Sequence, residues 1–439
     1  MSSPVRPSVE RALSVDTSHD PGTVPPSASD AEPTARVRAP WITGFVFAGL
    51  GWQVASQVPS TFTVPQQIKD IDPAGHVADF AWVNTIGTLS ILFLGPLFGM
   101  LSDRTVSRFG RRRPWIAFGG LAAAAALVFS GMQKTVWGVG VGYLLQTVFV
   151  AALAAGMVTI VPDRVPIGQR GVVLGWGGVP QAAALIVGGV LVSLSKGYVG
   201  QYAALAALMV FVVLFAWRVG DPPLPRERRE AFSFQAYLAN YRIQVRQFPD
   251  FGWALATRFL MVLGYGLGTL YTPYFLDDVL GFKNTPNDKS NDSHLLIVVA
   301  VNSVSTVALV VVAGWLSDRW GRRKPLVCGG SAVMAVAAAM LAVHQSWGMM
   351  LAAGAVLGLG YGVYLSVDGA LVTQTLPSGT DRGRDMGFAN LMTIIPFALV
   401  PPIAALLIKF AGGYSALFWA SAVASVAGAG CIYRIRGVR

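Results

Sequence analysis

Two ionisable residues lie inside stretches otherwise apolar enough to cross a bilayer: Arg258 within GWALATRFLMVLGYG and Asp368 within LGYGVYLSVDGALV. Charge in hydrocarbon is costly, so such residues mark an ion or substrate pathway by default. Arg258 sits about two turns into its apolar run and Asp368 at a comparable depth before the end of its own, so the two are expected to face each other or a shared cavity. That leaves Asp368 two employments: a proton carrier, or the acidic half of a permanent structural pair.

A second set of residues offers hydrogen bonds without charge. Gln53, Gln146, Gln181, Tyr265, Asn302 and Tyr361 fall near the middle of apolar runs, with Gln57, Asn84, Tyr364 and Asn390 within a few turns. Amides and phenols, interleaved with aromatics such as Trp52 and Trp176, suit a neutral polyhydroxylated solute whose hydroxyls need partners and whose ring face can lie on an aromatic. An organic anion would call for a central cation, and Arg258 is the one on offer. The competing reading of each amide is a helix-to-helix hydrogen bond.

A third set is charged and duplicated. GMLSDRTVSRFGRRRP from Gly99 to Pro114 returns as GWLSDRWGRRKP from Gly314 to Pro325, an offset of 215 residues. Asp103, Arg104, Gly110 and Arg111 to Arg113 thus answer to Asp318, Arg319, Gly321 and Arg322 to Lys324, with Gly99 and Gly314 leading each copy. A second echo, Pro166 to Gly171 against Pro377 to Gly383, keeps nearly the same offset, which makes internal duplication the economical reading. A carboxylate at the end of a span can accept bonds from the amides of a neighbouring helix N-terminus and pair with a guanidinium. Contacts of this kind would gate a rocking motion, and the glycines would permit close helix approach and tight turns.

The elements that must position these residues are membrane spans. Of the 439 residues 54% are hydrophobic and 13% charged, against about 25% charge in soluble domains. Runs near 42–64, 78–101, 115–133, 136–160, 171–195, 199–219, 251–276, 293–316, 326–345, 347–373, 386–408 and 413–433 predict twelve spans, an all-α integral membrane protein built as two pseudo-symmetric bundles of six. Residues 1–40 read as a disordered tail, 41–220 and 251–439 as the bundles, and 221–250 as a linker. Within it Phe234, Tyr237, Leu238 and Tyr241 suit an amphipathic surface helix over 233–247. Lys69, Lys134, Lys196, Lys283, Lys289 and Lys409 fall on one face; apart from Arg258, the other cations fall on the face of the termini. Positive loops stay inside, so both termini are expected to be cytoplasmic in a cell membrane. The net charge of +11 is then topology and needs no nucleic-acid partner.

The repeated Gly-x-Leu-x-Asp-Arg-x-Gly-Arg-Arg pattern resembles the major facilitator superfamily. The longer first copy, with Thr105 to Arg108 inserted, resembles its sucrose and glycoside branch. The resemblance implies a monomeric secondary transporter, most simply a proton-coupled sugar or glycoside importer, with a drug or metabolite exporter as the alternative. Exporters carry a Gly-Pro-x-x-Gly-Gly pattern in span five, whereas here Pro180 is well separated from Gly188 and Gly189. Plant sucrose transporters carry further ionisable residues in the helices of their N-terminal half and in span eight, whereas spans four, five and eight of this chain lack them in their interiors. No Walker loop, paired catalytic carboxylates or Cys/His cluster occurs, so no enzyme, cofactor or metal is expected. His76, His294 and His344 lie at or near span ends opposite the basic loops, where pH sensing is conceivable.

Overall fold

A computed structural model describes residues 36–221, 248–285, 288–320, 323–375 and 382–435. The tail and the segment expected to form an amphipathic helix lie outside them. Helix starts follow local chemistry. Proline occupies the first turn of α1 (Ala39–Val58), α4 (Arg113–Gly131) and α9 (Pro249–Thr269), where its missing N–H costs nothing. Thr135 caps α5 (Val136–Arg164) by accepting from the Gly138 amide at 3.1 Å.

α1 does not stop where expected. It runs through a π-helical turn at Pro59–Thr63 into α2 (Val64–Ile71), a bulge of the sort that recurs at functional positions. α3 (His76–Asp103), α6 (Ile167–Leu194) and the pair α7 (Gly197–Ala207) and α8 (Met209–Arg218) complete the first bundle. The second comprises α9 with α10 (Thr272–Asp278), α11 (Ser290–Trp320), α12 (Arg323–Val343), α13 (Trp347–Thr375), α14 (Arg382–Phe410) and α15 (Gly413–Ile432). A two-residue hairpin, Asn284–Thr285 antiparallel to Asp288–Lys289, precedes α11. Among the described residues eleven helices are long and apolar enough to cross a membrane. The expected first span is the one left out, because Gln53 and Gln57 dilute its apolar run.

Within each bundle helices close on small residues. A Cβ on Gly119 would lie 2.6 Å from the Leu153 amide nitrogen, and one on Gly358 would lie 2.4 Å from the Asn302 carbonyl. α4 therefore packs flush on α5, and α13 on α11, as van der Waals contact between backbones requires in lipid.

Between bundles the packing is one-sided. α3 meets α14 and α6 meets α11, but along α6 the contact fades from one end to the other. Gly189 is crowded by Leu296 and Phe62, whereas Gly168, Gly171, Gly175 and Gly178 meet nothing within 4 Å. On α3, Gly95 and Gly99 are equally open. The bundles thus touch at the end away from the arginine loops and splay at the basic end, leaving a cleft open toward those loops.

The packing contrast sets an expectation. Gly119→Val should lower stability by about 2 kcal/mol or prevent assembly through overpacking. Gly175→Ala should be neutral or gain up to about 1 kcal/mol of helix propensity. Thermal unfolding of purified protein in detergent checks both.

Candidate functional site

Both rows of uncharged polar residues flank the cleft between the bundles. From the first bundle, Gln53 donates to Gln181, joining α1 to α6. Gln53 and Gln57 are half-buried and Gln181 is exposed. Gln146 is fully buried and donates to the Ala55 carbonyl at 2.6 Å, while its own carbonyl oxygen has no partner; neither has the Gln57 amide nitrogen. Asn84 is buried at 3.5 Å from the Tyr143 hydroxyl and accepts from Thr88 at 3.4 Å. Trp52 is half-buried and Trp176 exposed.

From the second bundle, Tyr265 and Tyr361 stack with ring centroids 3.8 Å apart and planes 12° from parallel. The Tyr265 hydroxyl donates to Asn302 Oδ1 at 2.8 Å, and Asn302 Nδ2 donates to the Gly354 carbonyl at 3.1 Å. Asn390 is exposed on α14. Among the described residues no hydrogen bond runs between the two rows. Gln53, Gln57, Gln181, Tyr265, Tyr361 and Asn390 are the members open to a solute; Gln146, Asn84, Asn302 and Tyr364 stand behind them, holding helix to helix.

Arg258 and Asp368 do meet. Arg258 Nε lies 2.9 Å from Asp368 Oδ2 and 3.1 Å from Oδ1, and Nη2 reaches Oδ2 as well. Nη1 donates to the Ala389 carbonyl at 2.9 Å, and the Tyr364 hydroxyl donates to Asp368 Oδ1 at 2.8 Å. Both charges are buried, and the bidentate fork is the strong form of the pair. The set ties α9, α13 and α14 together inside one bundle.

The first arginine loop is a closed network. Asp103 makes the expected pair with a guanidinium, that of Arg112, but the helix-capping half of its expected role falls elsewhere. The capping carboxylate is Asp221, which accepts from the Arg112 and Arg113 amides at 2.5 and 2.9 Å at the start of α4. Asp163, missed in the sequence, accepts from Arg111 at 2.8 Å and Arg112 Nε at 2.9 Å, and Ser102 accepts from Arg112 Nη1 at 3.0 Å. Gly110 has φ of +104° against Asp221, a turn that L side chains resist. Arg104 donates to the Met100 carbonyl at 3.0 Å. Gly99 and Gly314, expected at close helix approaches, have open space or a single atom at 4.0 Å. In the second loop Arg319 lies over the Trp315 ring and Lys324 donates to the Ile435 carbonyl at 2.5 Å; Arg323 is half-buried. Gly321, Arg322 and the side chain of Asp318 lie outside what is described.

At the opposite end the bundles are latched by residues whose pairing no sequence spacing announces, among them Lys69 and the candidate pH sensor His76. Lys69 on α2 pairs with Asp277 at 3.1 Å and with Asp278, and the Tyr414 hydroxyl donates to Asp278 at 2.6 Å. His76 joins Asp278 at 3.2 Å. Tyr274 donates to the Pro65 carbonyl at 3.0 Å, and Tyr271 to the Pro401 carbonyl at 3.2 Å and the Val77 carbonyl at 3.3 Å. In the turn before α3 the Gly75 amide, with that of Ala74, holds the Asp72 carboxyl below the usual carboxylate range. The partners here lie about 200 positions apart, beyond the reach of any spacing rule.

Comparison with known proteins places this architecture. A family model described as Major Facilitator Superfamily matches residues 41–293 and 291–438. The chain is similar to multidrug resistance protein MdtL of Shigella flexneri serotype 5b (strain 8401), 28% identical over 173 residues covering 39% of this chain and 43% of that protein. It is also similar to sucrose transport protein SUC4 of Arabidopsis thaliana, 41% identical over 64 residues covering 14% of this chain and 12% of that protein. Both matches span less than half of the relative's length. Among solved structures it resembles nucleoside transporter NupG (TM-score 0.68, 13% identity, 90% of this chain and 98% of that one). It equally resembles peptide transporter POT in complex with sulfate (0.71, 11%, 93% and 96%) and a D-xylose-proton symporter (0.68, 13%, 91% and 97%). At these identities the likeness is one of fold.

The buried pair yields a test. Asp368→Ala strands the Arg258 charge and should cost about 3–5 kcal/mol, whereas Arg258→Met with Asp368→Leu removes both charges and should recover most of that. Thermal unfolding of the two variants in detergent reads the difference.

Proposed function

The chain belongs to the Major Facilitator Superfamily, and from that premise we propose that it is a proton-coupled importer of a neutral polyhydroxylated solute, a sugar or glycoside, working by alternating access. The observation carrying this reading is the chemistry of the cleft: uncharged amides and a stacked phenol pair line it, with Gln53, Gln57, Gln181 and Asn390 at least partly open to a solute. Hydroxyl-rich solutes supply donors and acceptors to such groups, and a pyranose face fits a flat aromatic. The two central charges are occupied with each other, which disfavours an organic ion as cargo.

The positive-inside distribution supports a basic end facing the cytoplasm. The open cleft is then the inward-facing state, and the latch around Asp278 is the closed external gate. The chain acts as a monomer with both termini inside the cell membrane. In the inward-facing state Asp368 serves as an acceptor to Arg258 and Tyr364. Protonation of its carboxyl requires those bonds to part, and we assign that event to the outward-facing state, where loss of the Arg258 contact frees Asp368 to carry a proton. The arginine loop around Arg112 sets the rigid edge against which the bundles rock.

The similarity to MdtL favours a second reading, a proton-coupled exporter of drugs or metabolites.

Purified protein in liposomes with an alkaline interior, offered labelled mono- and disaccharides, decides between them. Uptake driven by the gradient supports the importer; extrusion of a lipophilic cation without sugar flux supports the exporter. Gln53→Ala and Gln181→Ala should each raise the sugar KM about 5- to 30-fold, the worth of one or two hydrogen bonds. Asp368→Asn should abolish accumulation while leaving sugar exchange across equal pH; a variant that still accumulates sugar would remove Asp368 from the coupling.

A further inference from the structure

The two ring nitrogens of His76 both face acceptors. Nδ1 lies 2.9 Å from the carbonyl oxygen of Pro73 and Nε2 lies 3.2 Å from Asp278 Oδ2. A backbone carbonyl can only accept, so Nδ1 must carry hydrogen. Asp278 is also an acceptor: Lys69 Nζ donates to its Oδ1, and the Tyr414 hydroxyl donates to the same Oδ2 that faces His76. Nε2 must therefore donate too, and a neutral imidazole has only one N–H. We propose that the latch is a proton-binding site: closing it seats His76 as an imidazolium between Pro73 and Asp278, and opening it gives that proton back.

The surroundings favour a cation. On α2 and the following turn stand Lys69, Asp70 and Asp72; on its own helix, Asp79; on α10, Tyr274, Asp277 and Asp278; on α15, Tyr414. Lys69 is taken by Asp277 and Asp278, Asp70 accepts from Tyr198 at 2.5 Å, and Asp79 accepts from the Trp82 indole at 3.2 Å. Acids outnumber bases around the ring, and their carboxylates offset the cost of burying a charge on His76, whose ring lies at 72° to that of Tyr274.

The geometry also makes the site conformation-dependent. His76 and Lys69 belong to the first bundle, and Asp277, Asp278 and Tyr414 to the second, so every bond from the ring to a carboxylate crosses the seam that must part when this end opens. The closed state therefore holds one proton more than the open one. Its share therefore rises as pH falls, by up to about tenfold per unit, the limit for one linked proton. This proton enters and leaves by the same gate. It sets how often the protein closes on a solute without being carried across, which separates it from the role given to Asp368. The identification of this end as external rests on the reading under Proposed function.

The test uses the full chain with Cys328 and Cys431 replaced by serine and spin labels at Lys134→Cys and Lys409→Cys, exposed positions of the two bundles at the latch end. Pulsed electron spin resonance distances are recorded from pH 5.5 to 8.5 without solute. The short-distance population should grow relative to the long one as pH falls, and His76→Gln should flatten that dependence. Asp278→Asn, the second route should His76→Gln fail to fold, should flatten it and favour the open distance throughout; Tyr414→Phe should keep the slope. A distance distribution independent of pH in the labelled parent, or a slope that survives His76→Gln, overturns the proposal. Because no solute is present, a failure to transport sugar in liposomes would strike the proposed function and leave the latch standing, and a flat distance profile would do the reverse.

Discussion

The carboxylate of Asp278 is where the two halves of the molecule hold each other. It receives Lys69 and His76 from one bundle and Tyr414 from its own. The pairs of Arg258 with Asp368 and of Arg112 with Asp163 lie inside single bundles. Pairs within a bundle thus help to make each a rigid body, and the pairs that cross the seam are the ones a two-state rocking motion must break and remake, an equilibrium that a few kcal/mol can move.

The duplication is mechanical before it is chemical. Each half repeats the flush glycine packing, Gly119 on Leu153 in one and Gly358 on Asn302 in the other, and each ends a long helix in an Asp-Arg loop. The ionisable pair has no counterpart in the first half, where the equivalent helices carry amides. The first helix, with Gln53 and Gln57, falls short of the apolarity of its eleven companions and contains the π-helical turn. Departure from the ideal span thus coincides with the polar row beside the cleft.

Much of this was legible in the sequence, for identifiable reasons. Helices announce themselves because a bilayer forces about 20 apolar residues into each crossing. Arg258 and Asp368 were legible as partners because burial of charge has few solutions. The capping role given to Asp103 went instead to Asp221, since a helix N-terminus can be reached from any neighbouring element and nothing in the loop's own spacing says which. The latch was invisible for a related reason. Lys69 and Asp278 are ordinary residues near the ends of two short helices until the bundles lean together, and that lean is a property of one conformational state.

Asp221 has one more consequence. It is the last described residue of the first bundle and is clamped through its carboxylate to the start of α4. The chain therefore leaves the first bundle from a point fastened to the Gly110 turn and to the arginine knot behind it, so one carboxylate joins the exit of that bundle to the same loop that marks the fold.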